Sequence, residues 1–161
     1  MSASSKPSVT VAAIVERDGR FLIVEEDTAD GVRLNQPAGH WEQGESLIDA
    51  VKRETLEETG HRFEPTGLLG AYMSRYTSAR TSEDVTYVRF AFVGELGEAV
   101  EGAELSPEIR RVAFMSADDL RMMNDLHRSP LVMRCIDDYL SGRRLPLDAI
   151  YTHPSVLEGA A

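Results

Sequence analysis

Apolar and polar residues alternate along this chain with two different periods, and the change of period divides it into strands and helices. Val9, Val11, Ala13 and Val15 share one face of a two-residue repeat with Thr10 among the opposite side chains, which predicts a strand over residues 8 to 15. Residues 21 to 24 (FLIV) form a second apolar run, and Arg17-Asp18-Gly19 between the two is a turn signal, so the pair reads as a hairpin. Residues 25 to 31 are polar, end in glycine and read as a loop. Residues 34 to 39 form a short extended piece, kept out of helix by Pro37. The period then lengthens: Leu47, Ile48, Val51 and Thr55 make a helical stripe that begins at Glu45 or Ser46 and stops at Gly60. Strands follow over residues 68 to 76, 85 to 93 and 109 to 114, separated by a polar loop and an acidic connection over residues 95 to 108. The middle strand carries Val85, Tyr87, Arg89, Ala91 and Val93 on one face and Thr86, Val88, Phe90 and Phe92 on the other, a pattern that belongs inside a layered fold. A capped short helix at residues 116 to 120 precedes a helix over residues 128 to 142. That helix has Pro130 in its first turn and a stripe of Leu131, Cys135, Ile136, Tyr139 and Leu140.

Length and composition narrow the class. The 161 residues fit one domain, expected over residues 8 to 151, with residues 1 to 7 disordered and residues 152 to 161 a loose tail. A net charge of −10 argues against a nucleic-acid backbone as partner, which clustered Lys and Arg would have to neutralise. No apolar run approaches the roughly 20 residues that span a bilayer, and the first residues lack the apolar core of a signal peptide. The expected setting is the cytoplasm. Cys135 is the only cysteine and reads as a buried thiol, so there is neither a disulfide framework nor a zinc motif. His61, His127 and His153 read as surface or capping residues, while His40 adjoins Gly39.

The chemistry concentrates on the first helix. Glu54, Glu57 and Glu58 are three and four residues apart, and at about 100° per residue they crowd into an arc of roughly 100°. Like charges so placed repel, and a divalent cation removes the conflict; an ordinary acidic outer face would show the same three residues. Ala38 and Gly39 allow close approach of the backbone, so a carbonyl there is a further oxygen donor. Arg53 fits a supporting role toward the glutamates or the preceding loop, with an exposed ion pair to Glu45 or Glu57 as the plainer alternative. Arg89 on a buried strand face needs a carboxylate partner or an anionic ligand.

Gly39, Glu45 after five intervening residues, and Arg53-Glu54-Thr55-Leu56-Glu57-Glu58-Thr59-Gly60 after seven more resemble the signature of the Nudix hydrolases. Thr55 and His61 stand where that signature is usually aliphatic. The resemblance implies the Nudix fold, an α/β/α sandwich with a central mixed β-sheet, and Mg²⁺-dependent hydrolysis of phosphoanhydrides, with Mn²⁺ as a substitute. By position it makes Gly39, Glu54 and Glu58 the metal ligands and Glu57 the ligand of a second metal or its water. Catalytic roles fall to Glu57, Arg53 and Glu54, with a base from the acidic connection as the alternative. Asn35, Gln36, Trp41 and Arg89 are the expected substrate contacts, through hydrogen bonds or stacking, with Tyr76 and Tyr87 as further stacking candidates. Softer likenesses at Asn35 to His40, Arg128 to Val132, and Tyr139 to Leu147 resemble the NudJ-type bacterial phosphatases of that family. That implies nucleoside tri- and diphosphates and thiamine-type pyrophosphates as substrates and orthophosphate as product. A pyrophosphohydrolase for another nucleotide derivative and a non-catalytic binding module are the rival readings. The expected partner is a small phosphoanhydride, without nucleic acid or membrane, and the chain a monomer or homodimer.

Overall fold

The computed structural model describes residues 6 to 159; the expectations for residues 1 to 5 and 160 to 161 lie outside the described residues. Strand β1 (Ser8–Ile14) is a nearly unbroken apolar run, and Val11 to Val15 are at most 2% exposed. A strand covered on both faces belongs at the centre of a sheet. It pairs in parallel with β7 (Asp84–Ala99) and antiparallel with β5 (Ala38–His40), while β6 (His61–Thr77) adds antiparallel to the far side of β7. A second group of strands forms around β3 (Arg20–Thr28), which pairs with β2 (Glu16–Arg17), β4 (Gly31–Asn35) and β8 (Ile109–Ser116).

Two layers of helix cover these strands. Helix α1 (Leu47–Thr59) starts at Ser46, whose hydroxyl accepts from Asp49 N, and ends at Gly60 in the left-handed region with φ 74°. Its Ala50 and Val51 pack on Val11, Ala13, Val15, Leu22, Phe63, Leu68 and Phe92. On the opposite side α2 (Ala117–Met122) and α3 (Leu131–Leu140) bring Leu120, Leu131, Met133, Cys135 and Ile136 against Ile14, Phe21, Ile23, Leu69, Ala91 and Val93. The result is an α/β/α sandwich with a mixed central sheet. No described helix is long and apolar enough to cross a membrane.

Several expectations need correction. The turn at Asp18-Gly19 joins β2 to β3 rather than β1 to β3; the backbone hydrogen bonds of β1 go to β5 and β7 on its two edges, while helices cover its two faces. Residues 25 to 31 are not a loop but most of a hairpin, β3 turning into β4 with Gly31 at φ 100°. The acidic connection shortens, because Glu95 and Glu98 belong to β7. Pro130 precedes α3 as its N-cap, and Leu140 is exposed rather than part of the buried stripe. His127 is buried, with no hydrogen-bond partner for either ring nitrogen, rather than a surface residue.

Candidate active site

Strand register fixes one wall of the site. Thr10 lies between His40 on β5 and Arg89 on β7, and Tyr87 lies beside Ser74 on β6, so these side chains share one face of the sheet. The tip of the β3–β4 hairpin, α1 and the start of α3 close the other sides. Together they enclose a cavity of about 470 Å³ lined by Glu26, Glu54, Glu58 and Glu108, by Arg89 and Arg128, and by the Ala38-Gly39-His40 backbone.

At one corner α1 meets β5. Glu58 is 3% exposed, and its Oε1 accepts from Ala38 N at 2.8 Å. Burial pushes its pKa up to about 9 against that hydrogen bond, and the charges of Glu26, Glu54 and Glu108 push the same way. Burial also raises Glu54, although Arg53 opposes it. Gly39 makes this corner possible: a Cβ there would lie 2.1 Å from the Glu54 carboxyl carbon. Glycine is the residue that lets the strand backbone run so close to the carboxylate.

Arg53 holds the corner together. Its Nε and Nη2 donate to Glu45 at 3.0 and 2.7 Å, Nη2 also to the His40 carbonyl at 2.9 Å, and Nη1 to Glu54 at 2.8 Å and Glu57 at 3.2 Å. The hydrogen bonds from Arg53 hold the Glu45 carboxyl below its usual range. One guanidinium therefore ties the loop before α1, the end of β5 and two of the helix glutamates. Glu57 does not line the cavity; its half-exposed carboxylate stays on the Arg53 side. No three acidic, histidine or cysteine side chains converge as a ready-made cation cage among the described residues. Two carboxylates and a backbone carbonyl still fit Mg²⁺, which retains waters and is commonly held by one or two carboxylates plus phosphate oxygens. The raised pKa values of Glu54 and Glu58 mark acids that a cation would keep ionised.

The four expected substrate contacts separate. Asn35 and Arg89 line the cavity. Gln36 is buried behind it, its amide donating to the Val132 carbonyl at 2.9 Å and accepting from Arg89. Trp41 packs on the α1 side of the core with its indole N–H on the Glu45 carbonyl at 2.7 Å, away from the cavity. Tyr76 and Tyr87 are the aromatic side chains at the cavity. Sequence reasoning missed Glu26 and Arg128. Glu26 is 6% exposed, receives Arg128 Nη1 at 3.0 Å and Asn35 Nδ2 at 3.4 Å, and is raised in pKa by burial. The signal for it was the two-residue repeat continuing inward from Leu22 and Val24; Arg128 has no such signal. Of the five glutamates in the acidic stretch, only Glu108 reaches the cavity.

A family model described as the NUDIX domain matches residues 5–135. The phosphatase NudJ of Escherichia coli O1:K1 is 37% identical over 145 residues, which is 90% of this chain and 91% of that protein, and the Shigella flexneri phosphatase NudJ matches to the same degree. Among solved structures, a NUDIX hydrolase from Nitrosomonas europaea aligns with a TM-score of 0.83 at 46% identity, covering 92% of this chain and 98% of that one. A UDP-X diphosphatase aligns with a TM-score of 0.67 at 21% identity, covering 90% of this chain and 68% of that one, a likeness of fold alone.

Proposed function

Because the chain belongs to the Nudix family, whose members hydrolyse phosphoanhydride bonds, we propose that it removes the terminal phosphate of nucleoside tri- and diphosphates, and of thiamine-type pyrophosphates, as orthophosphate. The observation that carries this reading is the corner where Gly39, Glu54 and Glu58 face one cavity with Arg53 fixing two of the supporting elements. Glu54, Glu58 and the Gly39 carbonyl would hold Mg²⁺, or Mn²⁺ in its place. When bound, such a cation would neutralise phosphate charge and polarise the phosphorus centre. Glu108 accepts the proton of the attacking water, because it is the glutamate of its loop that lines the cavity. Water oxygen bonds to the terminal phosphorus, the bridging bond opposite breaks, and the leaving diphosphate or monophosphate carries the electron pair away. Likeness to the NudJ phosphatases over nine-tenths of the chain supports attack at the terminal rather than an inner phosphorus.

Hydrolysis of a nucleoside triphosphate in ¹⁸O-labelled water tests the position of attack. Label in orthophosphate, with nucleoside diphosphate accumulating first, is the expected result. Direct formation of monophosphate and pyrophosphate would show attack at an inner phosphorus instead.

A further inference from the structure

The cavity contains a buried cation whose hydrogen-bond partners include no carboxylate. Arg89 is 5% exposed, and its Nη1 and Nη2 donate to Gln36 Oε1 at 2.9 Å and Asn35 Oδ1 at 2.8 Å, with Cys135 Sγ at 3.9 Å. A guanidinium only donates, so both amides are fixed with their oxygens toward it. Their NH₂ groups point away, to Glu26 Oε1 and to the Val132 carbonyl. With both amide oxygens already used, Arg89 and its cradle have donors left to offer a ligand, and a ligand there must accept.

Charge limits what that acceptor is. Glu26, Asp27, Glu54, Glu58 and Glu108 line the cavity against Arg89 and Arg128, and Arg128 is already paired with Glu26 at 3.0 Å. A further anionic group would have Arg89 alone in its favour against five lining carboxylates, and a cationic group would lie against the guanidinium itself. An uncharged ring with carbonyl acceptors satisfies both conditions. His40 and Arg89 flank Thr10 across two strand spacings, so their backbones lie roughly 10 Å apart, and Arg89 reaches Glu26 only through the Asn35 amide. Tyr87 stands on the same wall, its ring 6.3 Å from that of His40, and offers a face for stacking.

We propose that Arg89, held by Asn35 and Gln36, reads a keto oxygen of an uncharged nucleobase at the substrate end away from the phosphates. Keto nucleotides are then preferred over amino nucleotides. This deepens the phosphoanhydride reading and rests on it for the position of the phosphates.

Calorimetric titration with the β,γ-methylene analogues of GTP and ATP, and with methylenediphosphonate as a ligand lacking a base, separates the possibilities in the presence of Mg²⁺. The wild type is expected to prefer the guanine analogue by about tenfold or more, the scale of one charge-assisted hydrogen bond. Arg89→Gln should bring the two nucleotides within about twofold while methylenediphosphonate binding holds within about twofold, on the same hydrogen-bond scale. Gln36→Glu, a change outside the cavity wall, places a carboxylate behind Arg89 and should also shrink the preference; it decides the matter if Arg89→Gln does not fold. No guanine preference in the wild type, a preference that survives the substitutions, or an equal loss of methylenediphosphonate binding would each overturn the assignment. Binding is read without turnover, so failure to release orthophosphate would strike the proposed reaction and leave the role of Arg89 to the ligand preference.

Discussion

Glu58 combines near-complete burial with a single hydrogen bond, from Ala38 N, and its pKa of about 9 lies far above the ordinary 4.5. Without a cation, the folded protein holds a proton there that the unfolded chain gives up near pH 4.5. Stability is therefore fully present below that pH and is lost as pH rises through about 9, with Glu54 contributing in the same direction. Melting temperatures measured in chelator are expected to fall between pH 5 and 9. The double substitution Glu54→Gln/Glu58→Gln should flatten that fall and melt higher than wild type at pH 8, and Mg²⁺ should restore the wild type through linkage. A wild-type melting temperature that is flat or rising over this range in chelator would contradict the burial argument. Gly39 gives a second test at the same corner. Gly39→Ala sets a methyl group into the space of the Glu54 carboxyl, so kcat should fall by about a hundredfold, as for a misplacement of roughly 1 Å, with the fold retained by far-ultraviolet circular dichroism. Activity within twofold of wild type would show that Glu54 does not work from this position.

Two hairpin tips clasp one another at the cavity rim. Asp30, in the β3–β4 turn, accepts from the Tyr76 hydroxyl, from Ser78 Oγ at 3.1 Å and from Arg80 N at 3.0 Å, and Arg80 Nε donates to the Ala29 carbonyl at 2.8 Å. These bonds hold its carboxyl below the usual range, the Tyr76 hydroxyl most of all. Asp30→Ala releases the clasp without touching the Glu54 corner; KM should rise about fivefold with kcat within twofold, the pattern of lost uniform binding. Equal losses in kcat and kcat/KM would instead tie the clasp to the chemical step. At this scale the sequence was uneven in what it disclosed. Helix α1 was legible because its stripe, its Ser46 cap and its Gly60 stop are all local. Glu26 was not, because a run of acids ending in glycine reads as a loop until β4 and β8 are known to flank it. The partners of β1 were hidden for the related reason that β7 lies far along the chain and periodicity carries no pairing information. Arg89 was recognised as needing a partner, but its neutral amide cradle depends on where α3 and β4 meet the sheet.

The whole molecule carries a net charge of −10 and turns several of its carboxylates into one cavity, an arrangement that is self-repelling unless a cation enters with the substrate. The sandwich bears that cost by setting the acids between rigid elements: α1 beneath, β5 alongside, and Arg53 bridging them. Such a scaffold keeps its shape when the charge is removed, so loss of activity in a neutral variant would report on chemistry rather than folding. The direct measurement is the turnover of a nucleoside triphosphate as Mg²⁺ is titrated into wild type, Glu54→Gln and Glu58→Gln, each confirmed folded by its melting transition. Both variants should lose at least about a hundredfold in kcat, and excess chelator should abolish wild-type turnover. Full turnover in chelator, or undiminished kcat in both variants, would contradict a cation held by Glu54 and Glu58.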